Sequence, residues 1–409
     1  MFSNYLNNSD KRIMMNKQLI AMILAGFAVA IAATSAFGTK MSIVGRIQSE
    51  YSHINIEGFS SQSTVNDPTF FSSWGFRVYE DLGKGFQAMA MIDFGFNTNG
   101  ATQGSREIFV GISNDAIGTL KIGRTHAPFA DFAGGWTIDP FVYTTLQAAG
   151  SGGTMIASAN GLGSGAYSAV NSVIRFTSRE FDGFSFAVLF MPGDAEKLEA
   201  HLGGPLGGTG GNIGETGGED GEWDVQVAAK YNFDFQDHKF QVFGGYSRDN
   251  VSTVQKKVTT ANLKTEEVGR VGGVWSYKDF QIQGQYEFVN NAIGAATCSD
   301  AAALGAINEK ETRQCNSAIN PGGDGQVWYV GGQYKLGNAT LIAQGGMADA
   351  DRTNFALQRK AKSFTVGGLY HFSKRTNLFG GYQRVNVIDR NETVDRDRNT
   401  WTVGLRHLF

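Results

Sequence analysis

Three stretches of the chain alternate between apolar and polar side chains with a period of two. Residues 223–233 place tryptophan, valine, alanine, tyrosine and phenylalanine on one parity, and mainly aspartate, glutamine, lysine and asparagine on the other. Residues 86–97 and 280–288 repeat this pattern. Because successive side chains of a β-strand point to opposite faces, the pattern predicts strands with one apolar face. A tilted membrane strand needs about ten residues, as here, whereas soluble strands average about five or six.

The last nine residues of the chain, 401–409, form another such stretch. Four apolar side chains share one parity there: Trp401, Val403, Leu405 and Phe409. An unpaired apolar strand invites aggregation, so this strand must pair, and the first strand of the same chain is the natural partner. That pairing would close a barrel, whereas an ordinary sandwich strand is the alternative interpretation.

Sixteen segments have a strand pattern, and the connections between them alternate between short turns and long polar loops. The predicted strands are residues 41–51, 70–80, 86–97, 105–114, 118–126, 171–179, 184–191, 223–233, 239–248, 267–277, 280–290, 326–335, 339–348, 362–372, 376–387 and 399–409. The long loops include residues 192–222, 250–265, 291–325, 349–361 and 387–398. Outer-membrane barrels have short turns on one side and long loops on the other. We therefore predict an all-β fold, a transmembrane antiparallel β-barrel of 16 strands with long extracellular loops, as one domain over residues 39–409.

The N-terminus has the features of a signal peptide, which we assign to residues 1–38. Basic residues precede an apolar run that is shorter than the roughly 20 residues of a membrane-spanning helix. We place cleavage after Gly38, with Ala36 as the alternative. Met14 or Met15 is an alternative first residue of the translated chain. The mature protein is therefore expected to be exported.

Charge and cysteine usage narrow the function. A net charge of −3 argues against a nucleic-acid partner. The two cysteines form no CxxC pair, and no His/Cys cluster has zinc spacing, so we predict no metal, no cofactor and no catalytic site. Cys298 and Cys315 both fall in the predicted loop 291–325. An exported chain can oxidise them, so we predict a disulfide worth roughly 3 kcal/mol, with two free thiols as the alternative.

Several motifs resemble one family. Residues 74–85, Trp-Gly-Phe-Arg-Val-Tyr-Glu-Asp-Leu-Gly-Lys-Gly, resemble the Gly-Phe-Lys-Gly-x-Glu-Asp-Leu-Gly hairpin of the Gram-negative general diffusion porins. Residues 106–111 and 118–124 resemble the next hairpin, residues 171–186 the strand pair after the constriction loop, and residues 404–407 the last strand. The resemblance implies a homotrimer in the outer membrane, in contact with lipid and lipopolysaccharide, that passes small hydrophilic solutes and ions by passive diffusion.

The C-terminal residue carries a second resemblance. An amphipathic closing strand that ends in phenylalanine, here Phe409, is similar to the C-terminal signature of Gram-negative outer-membrane proteins. That likeness implies recognition by the outer-membrane assembly machinery.

The predicted third loop, from Ala127 to Val170, is the longest segment without a clear strand pattern, and loops of that length are unusual unless they are functional. It carries two carboxylates, Asp131 and Asp139, and no lysine or arginine. The resemblance implies that this loop folds into the lumen and sets its acids against arginines of the wall. For Asp139, which precedes Pro140, a turn-setting role is the alternative.

Parity selects the arginines of that wall. On each of four strands we assign the apolar positions to the outer face, which leaves the intervening arginine in the lumen. On the fourth strand this argument assigns Phe109 and Glu107 to one face, so that Arg106 points inward from the other. The predicted constriction arginines are Arg46, Arg77, Arg106 and Arg175.

Other functions are weighed against the diffusion porin. A substrate-selective channel would want an aromatic track, whereas the inward positions are mostly Gln, Ser, Gly and Arg. An outer-membrane adhesin and a soluble secreted β protein are further alternatives. A barrel hydrolase would need an assembled Ser/His/acid set, and the six histidines show no such grouping.

Overall fold

The computed structural model describes residues 39–67, 71–100, 102–148, 169–192, 223–249, 265–293, 323–352, 358–389 and 395–409. The predicted signal peptide, residues 1–38, lies outside this range, and so do Cys298 and Cys315. The cleavage site and the disulfide therefore stay predictions.

Seventeen strands in the described part of the chain form one antiparallel sheet. They are β1 (Thr39–Ile56), β2 (Gln62–Asn66), β3 (Ser73–Gly83), β4 (Phe86–Phe96), β5 (Thr102–Asn114), β6 (Gly118–Thr125), β7 (Val170–Ser178), β8 (Phe184–Met191), β9 (Asp224–Phe235), β10 (His238–Asp249), β11 (Glu266–Tyr277), β12 (Phe280–Ile293), β13 (Gly323–Leu336), β14 (Ala339–Arg352), β15 (Gln358–His371), β16 (Thr376–Asp389) and β17 (Asp395–Leu408). The five-residue strand β2 covers only the end of β1 that β3 does not reach. The other strands are the 16 predicted ones, so the barrel prediction is confirmed.

The last strand closes the barrel on the first. β17 pairs with β1 from Leu408 opposite Arg46 to Arg398 opposite Ile56. The Phe409 amide donates to the Gly45 carbonyl at 2.9 Å, and the Gly45 amide donates to the Phe409 carbonyl at 3.1 Å. A Cβ atom on Gly45 would lie 2.3 Å from the Phe409 ring, so only glycine leaves room for this ring. The terminal phenylalanine is thus part of the closure.

The barrel exposes apolar side chains and buries polar ones. Val271 and Val330 on the outer wall are 54% and 48% exposed, whereas Gln226 and Gln283 on the inner wall are 0% and 1% exposed. Soluble proteins distribute these residue types in the opposite way. An apolar outer wall around a polar lumen is the arrangement of a barrel that stands in a lipid bilayer.

The strand β2 and several strand ends differ from the sequence-based prediction. β2 has a single apolar residue, Val65, so no alternation reveals it, and it is fixed by pairing with β1. β3 begins at Ser73 rather than at residue 70, and Phe71 is buried inside the barrel. β14 and β15 extend to Arg352 and from Gln358, into the predicted loop 349–361. Apolar alternation indicates only the part of a strand that contacts the hydrocarbon of the membrane, so it does not predict the polar ends of the strands.

The connection between β6 and β7 contains a helical turn, Pro128–Asp131, and a 3-10 turn, Gly135–Thr137. Within the described residues, no helix has the length and apolar character that crossing a membrane requires. We call residues 126–148 of this connection the lumen loop.

The lumen loop lies against the inner wall. Its apolar side chains, among them Phe129 and Ile138, form a buried cluster with inward-facing Phe243, Val268 and Val327 of strands β10, β11 and β13. Burying this apolar surface fixes the loop on one side of the lumen.

Candidate constriction site

Neutral amide side chains of the wall hold the backbone of the lumen loop. The Phe129 amide donates to Gln226 Oε1 on β9 at 2.6 Å, and the Gly135 amide donates to Gln285 Oε1 on β12 at 3.1 Å. Further groups bond to later loop residues: Tyr329 on β13, Gln344 on β14, Gln383 on β16 and Gln48 on β1. The loop therefore follows the wall from β9 round to β1.

A buried ion pair anchors the beginning of the loop. Arg270 on β11 donates through Nε to Glu287 Oε1 on β12 at 2.8 Å, and the two residues are 1% and 0% exposed. Arg270 Nη1 also donates to the carbonyl of Phe129 and, at 2.8 Å, to that of Ala133. One guanidinium thus binds two loop carbonyls while its charge is balanced by the wall.

A second group of charges anchors the end of the loop. Arg406 on β17 donates to the Val142 carbonyl and to Gln48 Oε1, both at 2.8 Å. The Thr145 amide donates to Glu50 Oε1 on β1 at 2.9 Å. Arg406 has no role in the sequence-based prediction.

Glycines of the wall let the apolar loop residues approach. A Cβ atom on Gly245 of β10 would lie 2.5 Å from the Phe129 ring, and one on Gly367 of β15 would lie 3.0 Å from the Phe141 ring. Real Cβ contacts are longer, so these positions accept the loop only as glycine.

On the other side of the lumen, Arg46 of β1 and Arg106 of β5 meet around one acid and one ring. Both guanidinium groups lie 3.7 Å from Asp93 Oδ2 on β4. Their Cζ atoms lie 5.6 Å and 5.2 Å from the centre of the Tyr143 ring, and Arg106 Nη2 donates to the Tyr143 hydroxyl at 3.1 Å. Tyr143 has φ of +63° and belongs to the lumen loop, so its strained backbone brings the loop to the arginines.

Arg106 lies inside the barrel for a reason other than the predicted one. Ile108 and Val110 are exposed on the outer wall, so Glu107 and Phe109 face the lumen, and the parity argument for Arg106 was reversed. The ladder between β4 and β5 shifts register beside Arg106. Such a β-bulge re-aims a side chain, and it turns this arginine inward.

Arg175 of β7 pairs with the first loop acid. Its Nη1 lies 2.9 Å from Asp131 Oδ2 and its Nη2 lies 2.8 Å from Asp131 Oδ1, a two-pronged contact. Nη1 also donates to the His126 carbonyl at 2.7 Å. Beside this pair, Glu107 lies 3.8 Å from Lys121 Nζ and 3.5 Å from His126 Nδ1. Burial lowers the pKa of His126 to about 4, so the imidazole is neutral at pH 7.

The remaining predicted residues, Arg77 and Asp139, do not take part in these ion pairs. Arg77 of β3 is exposed on the inward parity and interacts electrostatically with Lys121. Asp139 is 3% exposed, and its carboxylate accepts from the amides of Phe141 at 3.0 Å and Ala148 at 2.6 Å. Burial raises the pKa of Asp139 to about 6. These contacts put Asp139 in a turn of the loop, whereas Asp131 contacts Arg175.

Comparisons with known proteins show the family of the chain. A profile of the Gram-negative porins matches residues 20–406. The chain belongs to that family. The predictions of an outer-membrane location and of a channel for passive diffusion are thereby confirmed.

Individual relatives agree with this assignment. An outer membrane porin protein of Bordetella pertussis is 27% identical over 96% of this chain and 99% of its own length. Major outer membrane protein P.IA of Neisseria meningitidis serogroup A is 30% identical over 45% of this chain, and the match spans 48% of that protein. The anion-selective porin from Comamonas acidovorans shares the fold, with a TM-score of 0.59 and 16% identity over 91% of this chain and all of that one.

Proposed function

We propose that the protein passes small hydrophilic solutes and ions and prefers anions. One observation carries the preference. In the described part of the chain, six basic side chains of the wall surround the three acids Asp93, Glu107 and Asp131: Arg46, Arg77, Arg106, Lys121, Arg175 and Lys230. Elsewhere beside the lumen loop, Arg270 is balanced by Glu287 and Arg406 by Glu50. A lumen lined by excess positive charge raises the local concentration of anions and lowers their barrier.

The test is the reversal potential across a planar bilayer under a potassium chloride gradient. Potassium and chloride ions have similar mobilities in water, so a deviation from zero reports the pore. We expect the potential to move towards the chloride equilibrium value. A potential on the potassium side would overturn the proposed preference.

Among the site residues, we propose that Arg46, Arg106 and Arg175 with Asp131 form the constriction, and that Asp139 fixes the shape of the loop. The contacts of Arg46 and Arg106 with Tyr143, and of Arg175 with Asp131, support this division. Arg77 stays a prediction, because its support is its inward parity and its proximity to Lys121.

We also propose a homotrimer. Near the end that carries the short turns, the residue types on the outer wall change around the barrel. Strands β1 and β5 present Ile43 and Val110, which are 64% and 60% exposed. Strands β9 and β10 present stacked rings such as Phe233 and Phe240. Aromatic belts suit a lipid interface, so we assign the side that presents stacked rings to lipid and the side of β1 and β5 to the contact between protomers. A solved structure of this fold is the trimer form of a Vibrio cholerae outer membrane protein. Chemical cross-linking in mild detergent should give trimers.

Further parts of the proposal concern export and assembly. We propose that residues 1–38 are removed, since basic residues followed by a short apolar run are typical of a signal peptide. Phe409 is proposed as the signal for the assembly machinery, and lipid and lipopolysaccharide as the surroundings of the outer wall. No catalytic activity is proposed, because passage through the channel depends on its bore and its charges.

A further inference from the structure

Trp136 brings an aromatic ring to the edge of the lumen loop. Gly134 and Gly135, which precede it, have φ of +75° and +59°, conformations that glycine adopts freely. A Cβ atom on Gly135 would lie 2.3 Å from the Phe129 carbonyl oxygen, so the backbone folds tightly against the anchored part of the loop. The ring of Trp136 is half-buried between those of His126, at 4.6 Å, and Tyr143, at 4.9 Å.

Tyr143 links the ring of Trp136 to two positive charges. Tyr143, which contacts Trp136, also contacts the guanidinium groups of Arg46 and Arg106. The single carboxylate of Asp93 is shared between the two arginines. The Arg46 side chain is 25% exposed and that of Arg106 is 8% exposed, so a solute in the lumen reaches Arg46 first.

A flat ring and a guanidinium recognise two different parts of a solute. Aromatic rings attract other rings at centre-to-centre spacings of about 4.5–7 Å. A guanidinium binds a carboxylate through a planar fork of donors. We propose that Trp136 and Arg46 form a subsite in the bore for planar aromatic carboxylates, with Tyr143 and Arg106 in support. This inference rests on the proposed function, because it names a solute class for the same pore.

Three small probes separate the two parts of the subsite. Sodium benzoate offers both the ring and the charge. Sodium cyclohexanecarboxylate has the same charge and a similar size but a puckered, saturated ring, and benzamide has the flat ring without the charge. Each probe is added to one side of a planar bilayer that contains the full-length mature protein, and the concentration that halves the chloride current is measured.

We expect benzoate to halve the current at a concentration roughly threefold to tenfold lower than cyclohexanecarboxylate does. That ratio corresponds to the free energy that one contact between aromatic rings contributes. Benzamide should block more weakly than benzoate. Trp136→Leu should remove the difference between the two acids, and Trp136→Phe should keep most of it. Arg46→Gln should weaken the block by benzoate and the block by cyclohexanecarboxylate to the same extent. Trp328→Leu, which removes a tryptophan that is 38% exposed on the outer wall, should change nothing.

Heat-modifiable gel migration shows whether each variant has folded, and Trp136→Met replaces the leucine variant if that one does not fold. Equal block by the two acids in a wild-type channel that prefers chloride would overturn the subsite and leave the proposed function intact. Block by benzamide as strong as that by benzoate would also overturn it, because the arginine would then have no part. A wild-type channel without chloride preference would instead contradict the proposed function.

Discussion

The two halves of the inner wall carry different kinds of polar side chain. Strands β1 and β3–β7 contribute a charged arc: Arg46, Arg77, Asp93, Arg106, Glu107, Lys121 and Arg175. Strands β9–β16 contribute an amide arc: Gln226, Gln241, Gln283, Gln285, Gln344 and Gln383. The lumen loop is laid along the amide arc, and it reaches the charged arc at His126, Asp131 and Tyr143.

This difference shows how the barrel separates structure from selectivity. An amide side chain donates and accepts, so it can satisfy the buried carbonyls and amides of the loop without adding a charge. The buried Arg270 in the amide arc is balanced by Glu287, which keeps its field local. The charges that act on a passing solute are therefore concentrated on one side, opposite a loop that amide groups and locally balanced charges hold in place.

Breaking the ion pair of the amide arc should have the largest effect. Arg270→Met leaves Glu287 buried without a counter-charge and removes the donor to the Phe129 and Ala133 carbonyls. Losing one partner of a buried pair costs about 3–5 kcal/mol. We expect a lower unfolding temperature in detergent and a larger, noisier single-channel conductance. Arg384→Met removes a side chain that is 57% exposed on the outer wall and pairs with Asp397, and it should cost about 1 kcal/mol or less.

A double variant separates the charge from the anchor. Arg270→Met with Glu287→Leu removes both charges, and well-packed apolar replacements of buried pairs are often neutral in stability. The unfolding temperature should recover, while the conductance stays raised because the loop carbonyls still lack their donor. Recovery of both properties would show that Arg270 does not position the loop.

Neutralising the charged arc should change selectivity and leave the loop in place. Arg46→Gln with Arg106→Gln removes two positive charges beside Asp93, which then acts on solutes unopposed. The reversal potential in a salt gradient should move towards potassium, because opposed charges in a narrow bore interact more strongly than in bulk water. Lys362→Gln with Arg384→Gln removes two charges from the outer wall and should leave the potential unchanged. A shift of equal size in both double variants would contradict the assignment of the charged arc.

Much of this division could be predicted from the sequence, because it follows from strand parity. The alternation on β9 and β12 placed Gln226 and Gln283 in the lumen, and parity also gave the inward orientation of Arg46 and Arg175. These positions depend only on the period of two that every regular strand has.

Two features had no such signal. The bulge that turns Arg106 inward breaks the period of two along β5, and no residue type in that strand indicates a bulge. The course of the lumen loop depends on bonds to strands that are far away in the sequence, such as the one from Gln48 to the Tyr143 carbonyl at 2.6 Å. A single sequence cannot reveal such partners, which is why Tyr143 and Trp136 went unnoticed.

The two loop acids test the comparison, because Asp131 contacts Arg175 of the charged arc and Asp139 contacts Gln344 of the amide arc. Asp131→Asn removes a charge beside Arg175, so the reversal potential should move further towards chloride. Asp139→Asn should leave it nearly unchanged, because the buried Asp139 carboxylate binds the loop amides of Phe141 and Ala148. Equal shifts in the two variants would place both acids at the constriction.

Asp139 also has a pH signature. Burial raises its pKa in the folded protein to about 6, above the ordinary value of 3.8, so the folded state takes up a proton before the unfolded state does. The contribution of Asp139 to stability should therefore increase as the pH falls from 7 to 4. The urea midpoint of the wild type in detergent, compared with that of Asp139→Asn across this range, measures it. A difference between the two that does not vary with pH would contradict the raised pKa.

The smallest expected effect comes from a single amide of the amide arc. Gln344 donates to the Leu146 carbonyl at 3.2 Å and accepts from the Tyr329 hydroxyl at 3.1 Å. Gln344→Leu keeps the volume but loses these bonds, at a cost of about 1–2 kcal/mol. We expect slightly noisier single-channel current and an unchanged reversal potential, because no charge is removed. Gln281→Leu, on the same wall but bonded to Ser276 and Gln283 rather than to the loop, should leave the noise as it is. A shift in reversal potential for Gln344→Leu as large as that for Asp131→Asn would mean that the amide arc also sets selectivity.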